Sequence, residues 1–142
     1  MENITASFSF GLEDFSSCKE IRQEVFMDEQ GFKNEFDEKD KESYHLLLRV
    51  GDENAGTARF FKEADGVYHA GRICIRKKFR GLGLGRILIS ELSAKIKELG
   101  GTKILISAQK DKEGFYQKQG FSSYGEVYND EHCPHIDMKK IL

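Results

Sequence analysis

Between residues 80 and 86 three glycines alternate with two leucines and are closed at each end by an arginine: Arg80, Gly81, Leu82, Gly83, Leu84, Gly85 and Arg86. The β-branched run Ile73-Cys74-Ile75 precedes this stretch, and an amphipathic run follows it. Glycine has no Cβ, so its backbone takes left-handed φ and lets another molecule come close to its amide. The first N–H groups of a helix have no intrahelical partner and carry positive dipole character, so a glycine-rich turn into a helix suits a phosphate or diphosphate. Two familiar phosphate patterns are absent. A P-loop needs Gly-Lys before Ser or Thr, and G-x-G-x-x-G fails because Arg86 stands three residues after Gly83.

Other residue types here also suit proton transfer or recognition. The Tyr116 phenol, with a reference pKa of about 10, keeps its proton at neutral pH and can still donate it. Glu29, Glu126, His45 and His135 are the candidate bases, and a water-borne proton path is the alternative to any of them. His45 lies in an alternating run that leaves its direction, core or cleft, open. Arg59 either meets a carboxylate on a ligand or neutralises a neighbouring acid, and Gln109 either fixes a ligand or caps a strand. His132-Cys133-Pro134-His135 raises zinc, but the further ligands of a tetrahedral site are not evident, so no metal is expected.

These residues need elements to hold them. An alternating strand is expected over 3–9, then Ser17-x-x-Glu20 as a capping box before Cys18, Ile21 and Val25 at helical spacing, with that helix ending near Gly31. Residues 44–50 and 55–61 read as a hairpin, and Asp65-Gly66 turns into a third strand over 67–76, giving a meander. Leu84, Leu88, Leu92, Ile96 and Leu99 form one face of a helix that stops at Gly100-Gly101. The buried-looking strand 103–107 should run parallel to the strand before that helix. Asp111 is expected to cap a short helix that carries Phe115 and Tyr116 to Gly120, and strands near 121–128 and 135–141 close the chain.

Composition narrows the class. With 142 residues, 39% hydrophobic and 32% charged, the chain reads as a single domain over 1–142, without an apolar run of the roughly 18 residues a membrane span needs. The N-terminus has neither a basic start nor a secretory apolar stretch, and Cys18, Cys74 and Cys133 are odd in number and far apart, so free thiols in the cytoplasm are expected. The net charge of −2 is unevenly spread: 28–42 holds seven acids and three lysines, while 72–86 holds six basic residues and no acid. Each run is either a solvated face or, more sharply, a cation-attracting surface and an anion site. A short basic cluster on a slightly acidic chain argues against nucleic acid as a partner.

R-x-x-G-x-G at Arg80, Gly83 and Gly85, followed by Phe115-Tyr116-x-x-x-Gly120-Phe121, resembles the GNAT superfamily of N-acetyltransferases over almost the whole length, with the shared cofactor-binding core at 67–121. Val25-Phe26-Met27-Asp28-Glu29-Gln30, His45, Gly56-Thr57-Ala58-Arg59, Ala108-Gln109 and Pro134-His135-x-x-Met138 resemble its ElaA/YjcF-like branch. The resemblance implies an α/β (α+β) fold: a mixed, mostly antiparallel sheet split at two parallel strands, with helices on both faces. It implies that residues 80–86 grip the pyrophosphate of acetyl-CoA and that the backbone of Ile73, Cys74 and Ile75 pairs with the pantetheine arm, with Gln109 nearby. Tyr116 would be the general acid, with Glu29 or His135 as base and Glu29, Gln30, His45 and Arg59 facing the acceptor. The expected reaction moves an acetyl group to a primary amine on a small molecule, in a monomer or homodimer. A non-catalytic acyl-CoA-binding or regulatory module is the alternative.

Overall fold

The computed structural model describes residues 2–142. The strands are β1 (Ile4–Phe10), β2 (Tyr44–Val50), β3 (Glu53–Ala64), β4 (Val67–Ile75), β5 (Lys103–Gln109), β6 (Ser122–Asp130) and β7 (Cys133–Ile141), and the α-helices are α1 (Ser16–Arg22), α2 (Leu84–Glu98) and α3 (Glu113–Lys118). They build a seven-stranded sheet in the order β1-β2-β3-β4-β5-β7-β6. Every neighbouring pair is antiparallel except β4 and β5, which are joined through α2. Among the described residues no helix is long and apolar enough to cross a membrane.

Alternation along β2 divides the interior. Leu46 and Leu48 belong to one cluster with Leu88, Ile89, Leu92 and Ile96 of α2, while Leu47 packs against Ile21, Val25 and Phe26 on the other face. Helices therefore cover both faces, as the period-2 pattern of a strand buried on two sides requires. Burying each large aliphatic side chain in these clusters contributes about 1.5–3 kcal/mol.

Two local expectations are overturned. Phe15, not Ser17, is the N-cap of α1 and makes no side-chain cap, so Ser17 and Glu20 lie inside the helix and no capping box forms. The Phe15 ring sits 4.6 Å from the His45 ring and beneath the Arg22 guanidinium, so tertiary burial rather than local capping sets where the helix begins. Asp111 likewise caps nothing: it lies in a 3-10 turn, Lys110–Lys112, and α3 begins beyond it. The first helix does reach the expected region near Gly31, but Gln23–Glu29 is wound as a π-helix. Such i→i+5 winding is rare and concentrates at functional sites.

What positions the site is the divergence of β4 from β5. They pair only from Val67 to Ala70 and Lys103 to Ile106. Just beyond, Arg59 faces Gly71 while Thr57 faces Cys74, which puts one extra residue on β4, and Arg72 has φ +52°. A bulge of this kind bends the strand and re-aims a side chain, leaving the β4 edge from Gly71 to Ile75 with no strand beside it.

The acidic run is neither wholly solvated nor a free cation trap. Arg22 binds Glu35 and Asp40, both at 2.8 Å, Arg59 binds Asp37 and Asp40 at 2.6 and 3.0 Å, and Arg72 binds Glu35 and Asp37 at 3.1 and 3.3 Å. Burial pushes the Asp40 carboxyl up, but hydrogen bonds and charge from Arg22 and Arg59 outweigh it and hold Asp40 below its usual value. Its contribution to stability is thus present above about pH 4 and lost as pH falls through the folded value. Asp40→Asn removes one partner of a buried network and should cost about 3–5 kcal/mol in urea unfolding at neutral pH. A loss under 1 kcal/mol would show the network to be marginal.

Candidate active site

A cleft of about 830 Å³ opens where β4 and β5 part. The β4 edge forms one wall and the β5 end the other. The start of α2 lies at one end, Phe115 and Tyr116 of α3 reach in, and the segment from Glu29 to Glu35 covers it together with the β6–β7 turn.

The glycine loop is built as its composition implies. Gly83 is the N-cap of α2 in a left-handed conformation, φ +77°, with no side-chain cap and no acid in the first turn. The N–H groups of Leu84, Gly85 and Arg86 therefore have no intrahelical acceptor. A Cβ at Gly85 would stand 3.1 Å from the Phe115 ring, so any larger residue there would press Phe115 back by a few tenths of an ångström. Gly81, Gly83, Gly85 and Arg86 line the cleft. Leu84 is buried in the core and offers only its backbone, whereas Leu82 is 54% exposed and is not part of the cleft wall.

Arg80 and Glu29 hold each other. The Arg80 Nε donates to the Ile75 carbonyl at 2.9 Å, and its Nη2 donates to Glu29 Oε1 at 2.8 Å. This hydrogen bond keeps the Glu29 carboxyl below its usual value, which favours its charged form and weighs against a role as base. Beside it, Gln109 Nε2 donates to Gln30 Oε1 at 2.7 Å, so residues 29 and 30 are tied to both sides of the cleft.

Tyr116 is 8% exposed and packs edge-on against Phe115 and Phe121. Burial pushes its phenol upward, with the neighbouring Cys74 thiol adding to the effect and no hydrogen bond opposing it. A proton is therefore held firmly at the cleft. The His135 Nδ1–H donates to the Cys133 carbonyl at 2.9 Å, which leaves Nε2 with the lone pair in the neutral ring. Its ring stacks on Tyr128, whose hydroxyl donates to Asp137 at 2.7 Å and also meets Ser107.

Two acceptor-side expectations do not hold. His45 faces the α1 side, 1% exposed, with Nε2 on the Asp40 carbonyl at 3.0 Å; it is outside the cleft, so the choice left open by strand alternation falls to the core. Arg59 borders the cleft, but both Nη atoms are taken up by Asp37 and Asp40, so it neutralises acids rather than waiting for a ligand. Sequence reasoning missed Glu35, Arg72 and Glu131. Glu131 accepts from the backbone N–H groups of Lys33 and Asn34 at 3.0 and 3.1 Å, pinning the covering loop. The left-handed Glu131 gives no local signal, and the Glu35 pairings span long separations. Among the described residues no group of three or more His, Cys, Asp or Glu is placed to hold a metal ion.

The parallel pair thus parts beside an uncapped, glycine-led helix. The chain belongs to the GNAT acetyltransferases, whose domain model matches residues 12–142. The N-acetyltransferase YjcF of Bacillus subtilis, itself described as uncharacterised, is 32% identical over 123 residues, 84% of this chain and 87% of that protein. A crystal structure of a candidate N-acetyltransferase from Lactobacillus plantarum has a TM-score of 0.90 at 29% identity and covers 98% of both chains. Escherichia coli ElaA has a TM-score of 0.85 at 24% identity over 99% of both chains, a likeness of fold. The expected family and branch are thereby borne out, and with them an acetyltransferase that uses acetyl-CoA. The residues fit that co-substrate: free helix N–H groups without a first-turn acid suit the diphosphate, and an unpaired strand edge suits an extended arm.

Proposed function

We propose that this protein, a single cytoplasmic domain acting as monomer or homodimer, moves an acetyl group from acetyl-CoA to the primary amine of a small molecule by direct attack on the thioester. The observation that carries the reading is that the open β4 edge, Gly71 to Ile75, and Tyr116, whose hydroxyl has no hydrogen-bond partner among the described residues, line one cleft. When bound, acetyl-CoA supplies an activated acyl group and a thiol leaving group. Leu84, Gly85 and Arg86 offer main-chain N–H donors to the diphosphate, and the edge at Ile73, Cys74 and Ile75 offers donors and acceptors to the arm and one N–H to the thioester carbonyl. Gln109, tied to Gln30, borders the arm's path.

Tyr116 carries the proton that the departing sulfur needs, and a phenol keeps that proton through neutral pH until a basic sulfur draws it. His135 is the better-supported base, because its Nδ1–H is committed to Cys133 and its Nε2 remains able to take a proton from the amine, directly or through water. The test is CoA release from acetyl-CoA over a panel of small primary amines, with Tyr116→Phe beside it. Release with at least one amine, depressed in the variant, is expected. Tight CoA binding with no release from any amine would favour a non-catalytic module.

A further inference from the structure

We propose that Arg72 is a carboxylate anchor in the acceptor half of the cleft, and that the acceptor is accordingly a small amino acid whose amine is acetylated while its carboxylate is held by this guanidinium. The inference rests on the acetyltransferase reading and names its substrate class.

Arg72 sits at the β4 bulge, within the open edge from Gly71 to Ile75. A non-glycine residue at φ +52° is strained, and such strain persists only where the surroundings hold it, commonly at ligand sites. Its side chain is 25% exposed and borders the cleft. Nε binds Glu35, through the carbonyl and the carboxylate, both at 3.1 Å, and Nη2 reaches Asp37 at 3.3 Å. Among the described residues Nη1 has no partner. The guanidinium is thus oriented from behind by two acids while Nη1 stays available to donate to one carboxylate oxygen.

Arg22 and Arg59 are already committed to buried acids and Arg80 to Glu29, while Arg86, which also lines the cleft, stands at the start of α2. In the Arg22, Arg59 and Arg72 cluster three positive charges face Glu35, Asp37 and Asp40. Burial pushes the Glu35 carboxyl up and the Arg72 guanidinium down; Glu35 and Asp37 support the guanidinium while Arg59 and Arg22 repel it, so the cluster is balanced within itself and Nη1 is the donor left over for a further anion. Glu35, Asp37 and Asp40 are thereby taken up by these arginines, while Asp111 and Asp130 also line the cleft. What faces the ligand is Arg72, with the Asn34 amide close by on the pinned loop.

The test is calorimetric titration of the CoA-loaded protein with matched pairs: glycine, alanine, aspartate, glutamate, methionine, phenylalanine and lysine, each beside its α-carboxamide. At least one amino acid should bind roughly tenfold or more tightly than its amide, the scale of a charge-assisted hydrogen bond. That ratio should fall to about twofold or less in Arg72→Gln, with Arg72→Lys between the two. A merely structural Arg72 would weaken both members alike and leave the ratio unchanged. Absence of any discriminating pair in the native protein overturns the proposal, as does a ratio that survives Arg72→Gln. If that variant does not fold, a ratio undiminished in Arg72→Lys overturns it equally. Intact discrimination without acetyl transfer would instead sink the acetyltransferase reading and leave the anchor standing.

Discussion

Gly83→Val should weaken CoA binding by about 100-fold or more while the protein still folds. A Cβ at Gly83 meets nothing within 4 Å, so the substitution has room. What it lacks is conformational freedom: at φ +77° a β-branched residue is a strong outlier, costing roughly 1–2 kcal/mol. The loop relieves that strain by turning, and turning rotates the N–H groups of Leu84 and Gly85 away from a common point. Each hydrogen bond to a charged group contributes about 1.5–3 kcal/mol, so losing two accounts for the expected drop. Calorimetry with CoA reads the effect, and a thermal melt shows that the fold survives. Unchanged affinity would remove the diphosphate from the α2 N-terminus.

Tyr116→Phe should lower kcat by roughly 100-fold and leave KM for acetyl-CoA within about twofold. The range follows from general acid catalysis, which contributes about 100- to 10,000-fold. This variant separates packing from chemistry. Among the described residues the phenol takes part in no hydrogen bond that a phenyl ring would lose, and the edge-on contacts to Phe115 and Phe121 survive in it. Steady-state kinetics with the best amine of the panel checks it. Equal kcat in the two proteins would take the acid role away from Tyr116 and leave it as core.

The strand-loop-helix-strand unit was legible in the sequence because its signals are local and agree: an Ile-x-Ile strand end, glycines at the turn, a helix-period leucine stripe and a stop at Gly100-Gly101. Where local and tertiary demands conflict, reading failed. Ser17 and Glu20 offer a capping box, but burying Phe15 against His45 starts the helix earlier. The π-winding of Gln23–Glu29 was hidden for the same reason, since Ile21, Val25 and Phe26 satisfy an ordinary helical pattern equally well. The location of the site was legible as well: all the expected site residues except Leu82 and His45 border the cleft. The partners of Glu29, His45 and Arg59 were not legible, because composition shows that a charge exists, not which partner consumes it. Arg22, Arg59 and Arg72 meet Glu35, Asp37 and Asp40 only after the sheet has formed.

Amide NMR during titration with acetyl-CoA tests the cofactor site most directly. The resonances of Leu84, Gly85 and Arg86 and those of Ile73, Cys74 and Ile75 should move together along one binding curve, while β1, at the far edge of the sheet, stays still. Shifts confined to the helix start, with the β4 edge unmoved, would contradict an acyl arm lying between the parted strands.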